Sequence, residues 1–127
     1  MMVAGIGCRT GATKEAVMAA IAAALDRCSL ARSQIDALAT AIDKSAEAGI
    51  AGAARSLDLR LIFVSPADMR ATTGATLTSS PRVESLKGVP SVAETAALAA
   101  AGHGARLLAP RIATATVTCA IAVGEAP

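Results

Sequence analysis

Short apolar runs, each followed at once by a helical pattern, set the strongest limit on what this chain can fold into. "VAGIG" (Val3 to Gly7) is an apolar run closed by glycine, which reads as a buried strand. From Thr13 to Cys28, residues Val17, Met18, Ile21, Leu25 and Cys28 recur at three- and four-residue steps, predicting a helix capped by Thr13. "QIDALATAI" (Gln34 to Ile42) predicts a second strand, and Lys44 to Leu57 a second helix weakened by Gly49 and Gly52. "LRLIFV" (Leu59 to Val64) is a third strand, rich in branched and aromatic residues. Ser65 as N-cap, Pro66 at the first helical position and Asp68 in the first turn start a short helix immediately after it. Strand followed by helix, three times over, implies a mostly parallel sheet covered on both faces with right-handed crossovers.

The second half is less regular. Thr72 to Val89 is polar and marked by glycine and proline, and is expected to be a mobile segment. Pro90 to Gly102 predicts a helix with a capping box, Ser91 to Glu94, and a glycine stop. Ala105 to Arg111 and Thr116 to Gly124 predict the last two strands. The short link "RIATA" is suited to a hairpin that turns one strand antiparallel to the rest. At 127 residues the chain is expected to form one domain, 1–127, with no internal repeat or linker.

Composition narrows the function classes. The chain is 54% hydrophobic, dominated by alanine, with Phe63 as its one aromatic residue. Alanine favours helices that lie close to a sheet. The longest clean apolar run, Ala16 to Leu25, is far short of the ~20 residues that span a bilayer, so no membrane role is expected. The N-terminus has no basic segment and no long apolar core, which predicts a cytoplasmic protein. Cys8, Cys28 and Cys119 are widely spaced and accompany a single histidine, His103, so neither disulfides nor a zinc site is expected. A net charge of +2 without a basic run, and the near absence of aromatics, argue against nucleic acid.

The stretch "GIGCRTGATKEAV" (Gly5 to Val17) carries the densest chemistry. It joins a strand to a helix N-terminus, where backbone N–H groups favour a carboxylate or phosphate. Gly5, Gly7 and Gly11 would allow close approach, Arg9 and Lys14 would supply charge, and Thr10 and Thr13 hydroxyls. The glycine spacing fits neither a dinucleotide fingerprint nor a P-loop. A tight structural turn therefore stands beside a ligand loop as an equal reading.

Cys8, near a helix N-terminus and beside Arg9, is a candidate nucleophile or else a small packing residue. Asp43, Lys44 and Glu47 follow the second strand, where ligands of open α/β sheets bind. Asp43 and Glu47 are acid–base candidates there, with a helix cap as the alternative for Asp43. Glu94 is either half of the capping box or a further general acid. His103 reads as a turn residue, and Cys28 and Cys119 as packing residues.

"GIGCRTGATKEAV", "LATAIDKSAEAGI", "GVPSVAETAALAAAG" and "ARLLAPR", in that order and spacing, resemble the cobalamin-biosynthesis CobE family, which is also the C-terminal domain of CbiG. The resemblance covers essentially the whole chain. It implies a three-layer α/β/α sandwich with a mixed, mostly parallel sheet of about five strands. It also implies a role at the precorrin stage of vitamin B12 assembly. A precorrin is a ring fringed by acetates and propionates. Gly7, Cys8, Arg9, Thr10, Gly11, Thr13, Lys14, Asp43, Lys44 and Ser91 form the expected ligand set, with Arg82, Lys87 or Arg111 as further cations. The Thr72 to Val89 segment is placed to fold over such a ring. Binding or carriage of the intermediate, its hydrolysis or rearrangement, and docking to a pathway methyltransferase remain as three readings. No protein cofactor or metal is expected; cobalt would arrive inside the corrinoid.

Overall fold

The computed structural model describes residues 1–78, 89 and 91–125. Its strands are β1 (Met2–Cys8), β2 (Ala37–Ala41), β3 (Arg60–Val64), β4 (His103–Leu107), β5 (Ile112–Ala113) and β6 (Val117–Glu125). Its helices are α1 (Lys14–Arg27), α2 (Ala48–Leu57), α3 (Pro66–Arg70) and α4 (Val92–Ala101). The sheet order is β3-β2-β1-β6-β4, with β5 pairing to β6. β1, β2 and β3 pair in parallel, while β6 runs antiparallel to β1, β4 and β5. Only β6 is reversed, so the expected mixed and mostly parallel α/β sandwich is what forms. The "RIATA" hairpin is also present. Thr114 N–H donates to Val117 O at 2.8 Å, and Ile112 faces Cys119 across it. β5 itself was not foreseen; two residues are too short to leave a pattern.

Helix and strand ends differ from expectation where local turns intervene. Arg32–Gln34 and Ile42–Lys44 are 3₁₀ turns, so β2 is shorter at both ends and α2 begins at Ala48 rather than Lys44. The last helix is trimmed to Val92–Ala101, and β4 lies toward the N-terminus of its expected range, starting at His103 between Gly102 and Gly104, both at positive φ. His103 accordingly opens β4, exposed, instead of sitting in a turn. Thr13 caps α1 as expected, its hydroxyl accepting from Ala16 N–H at 3.0 Å, and Ser65 caps α3 through Asp68 N–H at 3.1 Å. Of the expected mobile segment, Thr73–Ala75 forms a 3₁₀ turn, while 79–88, with Arg82 and Lys87, lies outside the described residues.

Strand alternation sorts the interior into two cores. Ile6, Leu38, Val117 and Ile121 face α1 and α2, meeting Val17, Ile21, Leu25, Ile50 and Leu57. Ala37, Ala39, Ala41, Ala120 and Ala122 face the other way, against Ala93, Ala96, Ala97, Leu98 and Ala101 of α4. A Cβ on Gly5 would lie 2.1 Å from Ala93 O, so only a bare backbone lets α4 sit this close to β1. β1, β2 and β3 point their carboxyl ends to one edge, where α1, α2, α3 and α4 begin.

Candidate functional site

The carboxyl edge is where this kind of sheet offers a crevice, and the opening loop crosses it. After β1 the chain turns at Arg9, Thr10 and Gly11, all exposed. Gly11 adopts φ +81°, a conformation costly for side chains with a Cβ. Three of the loop's amides are already used inside the protein. Arg9 N–H donates to Thr116 O at 2.9 Å, Ala12 N–H to Arg9 O at 3.2 Å, and Gly11 N–H to Glu47 Oε1 at 2.8 Å. The donors left at this helix start are those of its first turn, which no α-helix can satisfy internally. The loop thus presents Arg9 and Thr10 side chains to solvent more than it presents a backbone cradle.

The glycines of the loop divide in role. A Cβ on Gly7 would lie 2.6 Å from Thr118 Oγ1, and Thr118 donates to Gly7 O at 3.3 Å. Gly7 is therefore explained by packing between β1 and β6. Gly49, in α2, would place a Cβ 2.1 Å from Ala12 O. Its bare backbone lets α2 press against the loop, and Glu47 just ahead of that helix then reaches Gly11. Lys14 packs its stem over Gly52, where a Cβ would stand 3.2 Å from the lysine Cδ. Both glycines read from the sequence as helix weakeners are the contacts that dock α2 on the loop.

Cys8, Gly11, Lys44 and Glu47 come together here. Burial pushes the Cys8 thiol above its ordinary value, Lys44 draws it down, Glu47 raises it, and burial dominates. Burial thus works against the thiolate that a nucleophile requires. Asp43 is exposed just beyond β2.

On the other side of the edge, Ser91 and Glu94 are completely buried. Ser91 Oγ accepts from Glu94 N–H at 3.2 Å and caps α4, but the reciprocal half of a capping box does not form. The Glu94 carboxylate turns to two other segments. Oε1 accepts from Leu77 N–H at 2.8 Å and Thr78 N–H at 2.9 Å; Oε2 accepts from the Thr78 hydroxyl at 2.5 Å and Arg111 N–H at 2.9 Å. Ser91 O also accepts from Thr95 Oγ1 at 2.6 Å. Both residues are spent on the protein's own polar groups.

The large apolar side chains left exposed among the described residues are Ile42 (52%), Phe63 (41%) and Leu77 (57%). Ile42 directly follows β2, Phe63 is next to last in β3, and Leu77 is fastened beside the first turn of α4. All three stand at the carboxyl edge. Among the described residues no group of His, Cys, Asp and Glu is arranged to hold a metal, and no helix is long and apolar enough to cross a membrane.

The sequence model of the family described as cobalamin synthesis G C-terminus matches residues 2–122. This chain belongs to that family. Its fold is that of CobE, a protein from the cobalamin (vitamin B12) biosynthetic pathway, with TM-score 0.90 and 32% identity over 96% of this chain and 89% of that one. The cobalamin biosynthesis protein chiG from Agrobacterium tumefaciens str. C58 is 44% identical, covering 99% of this chain and 100% of that one, with TM-score 0.79. A cobalamin biosynthesis protein G homolog from Sulfolobus solfataricus gives TM-score 0.71 at 25% identity, over 98% of this chain but 37% of that one. No curated protein matches.

For this member of the cobalamin synthesis G family, sequence reasoning missed two features of the edge. One is the pairing of Glu47 with Gly11, signalled only by the need to satisfy a donor in a glycine turn. The other is the bridging role of Glu94, whose partners lie 16 and 17 positions away on either side. No local pattern announces such contacts.

Proposed function

We propose that this cobalamin-biosynthesis family member binds or carries a polycarboxylate precorrin intermediate, in the cytoplasm, at the carboxyl edge of its sheet. The observation that carries the reading is the placement of the exposed Ile42 and Phe63 at the ends of β2 and β3, on the edge where the exposed Arg9 and Thr10 also stand, with Leu77 exposed on the α4 side of that edge. A precorrin pairs an apolar ring with peripheral carboxylates, and needs both kinds of surface side by side. Arg9, Lys14, Lys44 and Arg111 would meet carboxylates through charge-assisted hydrogen bonds, with Thr10 and Thr13 as neutral donors. Gly7 and Gly11 shape the loop, Cys8 lines its base, and Asp43 flanks Lys44. Ser91 leaves the ligand set, and Glu94 the acid–base candidates, because both are buried and engaged.

Binding without turnover is supported by the state of the acid–base candidates. Glu47 and Glu94 accept backbone N–H groups, and burial pushes the Cys8 thiol above its ordinary value. The test is an absorbance titration of the protein with pathway precorrins and with uroporphyrin, a stable tetrapyrrole bearing acetates and propionates. Mass analysis of the bound species follows. A spectral shift, an unchanged mass, and affinity lowered at least about tenfold in the Arg9→Ala, Lys14→Ala double variant are expected. An altered mass would make the protein an enzyme. Absence of any binding would overturn the reading.

A further inference from the structure

Glu94 is a fully buried carboxylate that the proposed binding surface does not use directly. Its contacts converge from three stretches of chain. The carboxylate takes N–H groups from Leu77 and Thr78, the last described residues before 79–88. Its own N–H donates to Ser91, just beyond that segment. Oε2 takes the N–H of Arg111, at the start of the β5 hairpin. One residue therefore ties Leu77, Thr78 and the base of the Arg111 loop to the first turn of α4. That turn is itself fixed by the contact between Gly5 and Ala93.

From this geometry we infer that Glu94 is a positioning residue for the edge site: it sets where Arg111 stands and does so without touching the ligand. The inference rests on the proposed binding function. Glutamine in its place keeps the shape but offers one acceptor and one NH₂ group. With the amide oxygen toward Leu77 and Thr78, its NH₂ faces Arg111 N–H; flipped, it faces the other two. Either way a backbone donor loses its acceptor.

The test compares Glu94→Gln, Arg111→Ala and the double variant, reading amide hydrogen exchange and uroporphyrin affinity. Arg111→Ala leaves its own backbone N–H, and so the clamp, in place. In Glu94→Gln the amides of Leu77, Thr78 or Arg111 are expected to exchange about tenfold faster or more while β1 and β6 stay protected. Affinity is expected to fall about tenfold in each single variant and hardly further in the double, the signature of two residues acting through one contact. Additive losses, or unchanged affinity in Glu94→Gln, would overturn the inference. So would protection lost across the whole sheet, which would make Glu94 a general core residue. Failure of the wild type to bind uroporphyrin or any precorrin would remove the binding function and this positioning role with it. The exchange data would still decide whether the clamp exists.

Discussion

The two faces of the sheet reach full burial by opposite means. Under α1 and α2 the strands present Ile6, Leu38, Val117 and Ile121, large side chains whose removal from water stabilises the fold by roughly 1.5–3 kcal/mol each. Under α4 they present Gly5 and a field of alanines, with Val3, Val64 and Leu107 at its margins, and so less area to bury. What this second face gains is proximity: at Gly5 the backbone of β1 lies directly against the backbone of α4. Among the described residues the buried polar side chains are Thr40 and, at the start of α4, Ser91, Glu94 and Thr95. A close, unyielding contact is what holds such groups at hydrogen-bonding distance. The large face supplies stability, and the small face supplies position.

Changing one carbon on each face breaks that comparison or sharpens it. Gly5→Ala adds a Cβ 2.1 Å from Ala93 O and 2.7 Å from Ala97 N, both backbone atoms, so α4 must move. The expected loss is about 3 kcal/mol, the upper range for overpacking, measured by denaturant unfolding. Ile6→Val removes one carbon from the opposite face of the same strand and is expected to cost about 1 kcal/mol. Equal costs would show that the faces pack alike.

How far the sequence speaks also differs between the faces. Val17, Ile21 and Leu25 announce α1 by spacing, and the large-residue face follows from strand alternation. On α4 nearly every position is apolar or small, so "VAETAALAAA" names a helix without saying which side is buried. The family and the mixed sheet were legible because the motifs and the strand–helix order are local properties of the chain. Glu47 and Glu94 were legible only as charged residues. Their partners, Gly11, Leu77, Thr78 and Arg111, are assembled by the tertiary fold, and a capping box was the nearest local pattern that could absorb Glu94.

Cys119 gives the large face a pH signature. It is fully buried, and burial pushes its thiol from 9.0 up to about 12. Between those values the unfolded chain has released the proton and the native chain has kept it. The unfolded state then binds fewer protons, so stability falls as pH rises, by up to about 1.4 kcal/mol per unit. Below pH 9 this contribution is fully present. Stability measured at pH 9.5 and 10.5 is expected to decline less steeply in Cys119→Ala than in the wild type. Parallel declines would mean that the face is wetter than its packing indicates.

The smallest effect belongs to Glu47, the counterpart of Glu94 on the α1–α2 side. Both glutamates accept backbone N–H groups from a neighbouring segment, but Glu47 is only half-buried and takes one such contact, from Gly11. Water can replace that acceptor, so Glu47→Gln is expected to cost no more than about 1 kcal/mol in stability. Its clearer consequence is local: Gly11 N–H should exchange faster while the α1 amides keep their protection. The same substitution at the fully buried Glu94 leaves at least one of three backbone donors without its acceptor. A Glu47→Gln loss as large as that of Glu94→Gln would show the opening loop to be held as rigidly as the α4 side.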